Sequence, residues 1–263
     1  RFKGHDDGVT SAVFSSDGGQ VLTASYDKTA ALRELATGKL IRRFKGHDDG
    51  VNSVVFSSDG RQVLTASYDQ TAALWELATG KLFRRFKGHD SWVNSAVFSS
   101  DGVHVLTASS DHTAALWDVA TGKLIRRFKG HDSGVTSAVF SSDGGQVLTA
   151  SDDKTAALWD VATGEFIRRY KGHEYSVNSA VFSKNGDQVL TASADQTAAL
   201  WNTETAERIA VFASFPEGWL SLDRENRYTA GENGLSLLTY YDPQDTSVNP
   251  TLWHAEDLPH MAR

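Results

Sequence analysis

A unit of 42 residues is repeated along most of the chain, and it limits the possible architecture more than any other feature. Residues 127–168 read RFKGHDSGVTSAVFSSDGGQVLTASDDKTAALWDVATGEFIR, and residues 85–126 carry nearly the same text. Further copies begin at Arg1, at Arg43 and, more loosely, at Arg169. A unit this short cannot bury its apolar side chains alone, so neighbouring copies must complete its core. The sequence therefore predicts a regular array of similar modules.

Each unit has the pattern of four short strands joined by turns. In the first copy we predict strands over 9–14, 20–25, 29–35 and 39–45, because these runs are rich in Val, Leu, Thr and aromatic residues. Ser-Asp-Gly follows the first run, and Asp-Gly tolerates the positive φ of a tight hairpin. Four strands and three turns per unit favour an all-β protein.

The ends of each copy carry a recognisable signature. A Gly-His pair opens the copies at Gly4-His5, Gly46-His47, Gly88-His89, Gly130-His131 and Gly172-His173. An aromatic-acidic step or its remnant closes them at Arg33-Glu34, Trp75-Glu76, Trp117-Asp118, Trp159-Asp160 and Trp201-Asn202. This arrangement resembles the WD40 family over about residues 1–210. The resemblance implies a β-propeller built from four-stranded antiparallel blades.

The predicted propeller occupies residues 1–241 and shows six blades. Five follow the repeats 1–42, 43–84, 85–126, 127–168 and 169–210, and a divergent sixth covers 211–241. That last part resembles the closing module of bacterial multidomain WD40 proteins through a Gly-Trp strand, a Tyr-containing strand and an Asn-Gly turn. Residues 242–263 are interrupted by proline and form a predicted tail.

How the ring closes is open at this point. Arg1–Gly4 reads as the end of a fourth strand without its own blade, so it could pair with the last blade, as in many WD40 propellers. Alternatively, the chain is a piece of a longer array, with a seventh blade upstream of Arg1.

Composition and charge exclude several classes of function. The net charge of −7 does not favour binding to nucleic acid or to an anionic membrane surface. There is no cysteine, hence neither a disulfide framework nor a thiolate metal site, and no apolar run is long enough to span a bilayer. The scattered His104, His112, His254 and His260 lack metal-ligand spacing. We expect a cytoplasmic protein without cofactor or metal.

A His, a Ser, an Asp and a Trp recur in the units, which invites comparison with a catalytic triad. The WD40 resemblance implies instead a structural hydrogen-bond chain in which Asp binds His, His binds Ser, and Ser reaches the Trp indole. Repetition in every unit also argues for a structural role. The predicted network residues are His47, Ser67, Asp69, Trp75; His89, Ser109, Asp111, Trp117; His131, Ser151, Asp153, Trp159; and His173, Ser193, Asp195, Trp201.

The first unit and the fourth strands raise two further questions. Arg33 stands where the others have Trp, and it could pair with Asp27 or Glu34, or face a partner. The fourth strands are rich in Lys and Arg, for example Arg42 and Arg43. Such charges at an exposed sheet edge discourage aggregation, and a docking site for an acidic partner or RNA is the alternative.

Variation among nearly identical units points to a binding face. In WD40 proteins the loops before the first strand and between the second and third strands meet on the top face, where partners usually bind. Aromatic residues there are typical of interface hot spots, although random drift after repeat copying is the competing explanation. The candidate partner-binding residues are Tyr26, Tyr68, Trp92, Asn94, His112, Asp152, Lys154 and Tyr175.

The functional prediction is a non-enzymatic scaffold or sensor module that binds a protein or peptide on this face. By family analogy it would belong to a larger bacterial signalling or defence protein. A hydrolase with a site in the central channel is one alternative. Such a site would need a polar cluster that is not repeated, and the sequence offers only Asp223, Arg224, Glu225 and Arg227. A purely structural repeat domain is the other.

Overall fold

The computed structural model describes residues 4–215, 218–223 and 228–230, and all its regular elements are strands. The first two units give β1 (Val9–Phe14), β2 (Gln20–Ser25), β3 (Thr29–Glu34), β4 (Leu40–Lys45), β5 (Val51–Phe56), β6 (Gln62–Ser67), β7 (Thr71–Glu76) and β8 (Leu82–Lys87). The next two give β9 (Val93–Phe98), β10 (His104–Ser109), β11 (Thr113–Asp118), β12 (Leu124–Lys129), β13 (Val135–Phe140), β14 (Gln146–Ser151), β15 (Thr155–Asp160) and β16 (Phe166–Lys171). The remainder are β17 (Val177–Phe182), β18 (Gln188–Ser193), β19 (Thr197–Asn202), β20 (Arg208–Phe215), β21 (Gly218–Asp223) and β22 (Tyr228–Ala230).

These strands form five antiparallel sheets, one for each repeat. Four sheets contain four strands in sequence order, and the fifth runs from β17 to β22. The all-β, four-strand-per-repeat prediction is confirmed, and the observed boundaries differ from the predicted ones by one residue at most in the first unit.

The turns at the two ends of the strands are stabilised in different ways. At one end the Ser-Asp-Gly turn is closed by its own side chains; for example, the Ser57 hydroxyl donates to Asp59 at 2.6 Å. At the other end a three-residue loop joins the second and third strands, and its last residue is left-handed, with φ of 69° at Lys28 and 70° at Lys154. A left-handed third residue is typical of such hairpins.

The apolar core lies between the sheets, and each interface repeats the previous one. Leu148 of the fourth sheet is fully buried in a cluster with Val177, Val189 and Trp201 of the fifth. Equivalent clusters join the first sheet to the second, the second to the third and the third to the fourth. The first strands of successive sheets also contact one another. Each unit therefore completes its core with a neighbour, as the repeat pattern predicted.

Among the described residues, no neighbouring sheet covers the outer faces of the first and fifth sheets. Val9 is 56% exposed and Leu190 is 40% exposed, whereas the equivalent Val51 and Leu148 are at 0%. Residues 1–3, for which pairing with the last blade was one of two possibilities, lie outside the described residues. In the described ranges, no helix is long and apolar enough to cross a membrane.

The prediction of six blades is not supported. Residues 218–223 and 228–230 belong to the predicted sixth blade, yet β21 pairs with β20 and β22 pairs with β21. They extend the fifth sheet because β20 runs on to Phe215, and β21 pairs along the side of β20 that faces away from β19. Residues 231–241 of that blade and the predicted tail 242–263 lie outside the described residues.

Two substitutions in the same sequence context test the packing between sheets. Leu148→Ala should lower the free energy of unfolding by about 2–5 kcal/mol, because it opens a cavity in a closed interface. Leu190→Ala removes the same atoms from a 40% exposed site and should cost less than half as much. Urea midpoints of both variants measure the difference, and equal losses would contradict the described packing.

Candidate partner-binding face and the network beneath it

A buried hydrogen-bond network ties the strands of each unit together below the loops. In the second unit, His47 Nδ1 lies 2.6 Å from Asp69 Oδ2, and its Nε2 lies 2.7 Å from the Thr65 hydroxyl. The indole Nε1 of Trp75 donates to the same hydroxyl at 2.8 Å. The third, fourth and fifth units repeat these contacts. The network therefore connects three parts of each unit: the loop before the first strand, which we call the entry loop, the second strand and the third strand.

The serine that we predicted as the link between His and Trp is wrong, because threonine occupies that place. Trp75 stands opposite Val63 in the β6–β7 pair, so its indole reaches the diagonal neighbour Thr65. Ser67 lies two residues further along β6, where it accepts from the Asp69 N–H at 3.1 Å and donates to the Gly50 carbonyl at 2.9 Å. The same correction applies to Ser109, Ser151 and Ser193.

An arginine of the fourth strand completes the network. Arg85 approaches Asp69 at 3.0 Å and donates to the Gly46 carbonyl at 2.6 Å. The preceding residue, Arg84, donates to the Thr121 carbonyl of the next unit at 3.0 Å. These arginines therefore stabilise each unit and its contact with the next unit, a role that the sequence analysis did not predict. The exposed lysines that end the fourth strands, such as Lys87, still fit edge protection.

The network aspartates stay ionised far into the acid range. Burial alone would raise the pKa of the Asp69 carboxyl, but hydrogen bonds from His47 and Thr71, together with the charge of His47, hold it well below its usual value. The same balance lowers the pKa of Asp27, Asp111, Asp153 and Asp195. In each unit the folded state therefore stabilises the ionised form of this aspartate more than its protonated form.

The first unit closes its network differently. Arg33, in place of tryptophan, is 4% exposed and donates to the Gly38 carbonyl at 3.3 Å, not to Asp27 or Glu34. Its burial also removes it from the candidates for partner contact. The rest of the network is kept: like Asp69 in the second unit, Asp27 accepts a hydrogen bond from Arg43, at 3.1 Å, and lies 2.7 Å from His5.

Above the network, the entry loops and the loops between the second and third strands lie together at the same end of the strands, which forms one edge of the array. The register places Ser25 opposite Val9, and the Tyr26 N–H donates to the Gly8 carbonyl at 3.0 Å. Every unit repeats this pairing. We call this edge the top face, and it holds the positions that vary most among the units.

Three of the predicted residues form a continuous aromatic row on the top face. The rings of Tyr26 and Tyr68 stack with centroids 5.8 Å apart and planes 13° from parallel, and Tyr68 lies 4.7 Å from Trp92. Tyr26 is 46% exposed and Trp92 is 53% exposed. Burial, a hydrogen bond with Tyr26 and the nearby Asp49 charge raise the pKa of Tyr68 to about 12, so its phenol stays neutral. The row spans three neighbouring units.

The glycine at position 50 shows that this row is built into the fold. A Cβ at Gly50 would approach Tyr26 to 3.0 Å and Tyr68 to 3.3 Å, so a larger residue would require the rings to shift by a few tenths of an ångström. In the third unit Trp92 stands at the equivalent position, and Ser110 replaces the following tyrosine. A large side chain is thus accommodated where the loop beside it carries a small one.

The other predicted contact residues do not join the row. Asn94 is half-buried and donates to the Val135 carbonyl at 2.8 Å and to the Ser110 hydroxyl at 3.0 Å, so its amide links two units and is not free for a partner. His112 and Asp152 are exposed on separate loops. Lys154 places its ammonium 6.0 Å from the Tyr175 ring centroid, which makes a second, smaller site on the fourth and fifth units.

Sequence reasoning missed Thr65 and Arg85 and their equivalents. The signal was present, because Thr recurs in every LTAS run and paired arginines recur in the fourth strands of the first four units. No group of three metal-ligating side chains occurs among the residues that the structure describes. Arg224, Glu225 and Arg227 of the polar cluster behind the hydrolase alternative lie outside them.

Removing the central hydroxyl tests the network. Thr149→Val leaves the Trp159 indole N–H and His131 Nε2 without their partner in a buried site, so the variant should lose about 1–3 kcal/mol of unfolding free energy. Thr23→Val is the matched control, since no tryptophan donates in the first unit, and it should lose less. Denaturant titration of both variants decides, and a larger loss for Thr23→Val would refute the assignment.

The lowered pKa values of the network aspartates predict that the stability of the fold depends on pH. Their folded pKa lies below the unfolded value near 3.9, so the unfolded chain binds protons first and stability falls as the pH drops from about 5 towards 2. Urea midpoints measured at pH 7, 5, 4 and 3 should decline steadily below pH 5. In the Asp69→Asn/Asp111→Asn variant the decline should be shallower, whereas an unchanged slope would contradict this source of acid sensitivity.

Comparison with known proteins finds the same 42-residue period, since the last four matches begin 42 residues apart. The sequence model of the family described as WD domain, G-beta repeat matches residues 1–32, 38–76, 80–118, 122–160 and 164–202. The last four matches each end on the second residue of an aromatic-acidic step or its remnant, and together the five cover well over half of the 263 residues. No curated protein matches the chain. The chain belongs to the WD40 repeat family.

Proposed function

We propose that this chain is a non-enzymatic interaction module that binds a protein or peptide on its top face through the aromatic row Tyr26, Tyr68 and Trp92. WD40 repeats generally mediate protein–protein interactions, and their domains are typically scaffolds without catalytic activity. The single observation that carries the proposal is the contact of these three rings across three units while two of them stay about half exposed.

The geometry beneath the row supports this role. Each loop of the row stands directly on a buried network, so the rings are presented by fixed backbone. Rigid aromatic side chains lose little conformational entropy on binding and supply much contact area. Exposed aromatic residues that contact one another on such loops are typical of interface hot spots.

The wider setting follows by family analogy. The module would serve as the scaffold or sensor part of a larger bacterial signalling or defence protein in the cytoplasm, with effector chemistry in linked domains. The proposed propeller unit spans 1–241, and Lys154, Tyr175, His112 and Asp152 extend its binding face beyond the row.

Capture from a lysate of the source cells tests the proposal. Tyr26→Ala/Trp92→Ala should reduce retention of a specific partner at least tenfold, because it removes both exposed ends of the row. Phe83→Ala/Ile125→Ala is the matched control, since these side chains are similarly exposed on outer strands, and it should retain the partner.

Both variants must first show the melting transition of the unaltered chain. Equal retention by all three proteins would overturn the assignment of the row and direct attention to other surfaces.

A further inference from the structure

The loops around the aromatic row carry an excess of negative charge. Asp6 and Asp7 precede the first strand of the first unit, Asp48 and Asp49 that of the second, and Asp90 that of the third. All five are exposed. Asp49 is close enough to raise the pKa of the Tyr68 phenol by its charge, and its Oδ1 accepts the Gly50 N–H at 2.7 Å. The carboxylate of Asp49 therefore lies close to the row, and the other four stand on the same set of loops.

Much of the positive charge near the row is paired or stands on the fourth strands. Arg43 and Arg85 are held by Asp27 and Asp69 in the network. Lys45 and Lys87 end the outermost strands, at the opposite side of each sheet from the first strand, and the equivalent Lys129 lines a surface pocket together with Asp90 and Arg127. On the loops of the row themselves, Lys28 is the one lysine. The surroundings of the rings are thus acidic.

The same face shows what occupies an aromatic ring when a cation is available. In the fourth and fifth units the Lys154 ammonium lies over the Tyr175 ring at 6.0 Å. Within the described residues no Lys or Arg of the chain takes such a position over Tyr26, Tyr68 or Trp92. Aromatic faces attract cations through the ring quadrupole, and neighbouring carboxylates strengthen the attraction.

We propose that the aromatic row and its aspartates form a binding site for a basic peptide segment, with arginine or lysine side chains stacked on the rings and paired with Asp48, Asp49 and Asp90. This inference rests on the proposed function and specifies its partner. Arginine fits best, because its planar guanidinium stacks on an aromatic ring and still donates to a carboxylate at its edge. An acidic partner or nucleic acid would meet repulsion at the same loops.

Fluorescence anisotropy with labelled peptides tests the site. The probes are a Gly/Ser peptide with four arginines and the same peptide with four citrullines, which keep the shape of arginine but lack its charge. At 150 mM salt the arginine peptide should bind at least tenfold more tightly than the citrulline peptide. Trp92→Ala should weaken it at least fivefold.

Paired charge variants separate a specific site from general attraction to an acidic protein. Asp49→Asn/Asp90→Asn should weaken arginine-peptide binding at least threefold, while the amide oxygen that the first substitution introduces can still accept the Gly50 N–H. Glu165→Gln/Glu207→Gln removes the same charge from exposed turns at the opposite edge and should change binding less than 1.5-fold.

Three outcomes would overturn the inference: no binding of the arginine peptide, equal binding of the citrulline peptide, or equal losses in the two charge variants. A cellular partner that depends on Tyr26 and Trp92 while the peptides show no discrimination would leave the interaction function standing and refute only the basic ligand. Tight binding that discriminates arginine from citrulline, without any cellular partner that depends on Tyr26 and Trp92, would leave the basic-ligand site standing and refute the proposed partner function.

Discussion

The hydroxyl of one threonine in the second strand of each unit is the contact on which the rest of the unit depends. It accepts the Trp75 indole N–H at 2.8 Å and lies 2.7 Å from His47 in the second unit, and the pattern recurs in the next three. The histidine is fixed in turn by Asp69, and the aspartate by Arg85 from the fourth strand. All four strands of a sheet, or the loops that enter them, meet in this network. Because the groups are buried, loss of one partner leaves others unsatisfied, which makes the unit cooperative.

This interior arrangement determines what the surface can vary. The aspartate, its following left-handed residue and the serine after the threonine fix the course of the loop between the second and third strands. The residue just before the aspartate is left free of the network, and it is there that the units carry Tyr26, Tyr68, Ser110, Asp152 and Ala194. The repeated frame and the variable face are consequences of one geometry. A binding surface can change residue by residue without altering the fold beneath it.

Much of the fold could be predicted from the sequence, because the repeat made the evidence redundant. Four strands per unit, their turns and the His, Asp and Trp positions follow from periodicity and family resemblance. The central threonine was missed because both Thr65 and Ser67 recur and point to the same face of β6; only the register, which sets Trp75 opposite Val63, distinguishes them. The role of Arg85 depends on a pairing across the sheet that sequence spacing does not reveal. The prediction of a sixth blade was wrong for a similar reason, because the strand pattern alone does not show which sheet β21 joins. The aromatic row was predicted as separate candidates, and its stacking became visible only with the loops in place.

A double-mutant cycle between Thr107 and Trp117 tests the central claim most directly. In this cycle the urea stability of Thr107→Val, Trp117→Phe and the double variant is compared with that of the unaltered chain. If the hydroxyl and the indole N–H act as one bonded pair, the losses will be strongly non-additive, with a coupling of about 1 kcal/mol or more. Additive losses would contradict the account, because the threonine would then stabilise the unit independently of the tryptophan that it contacts.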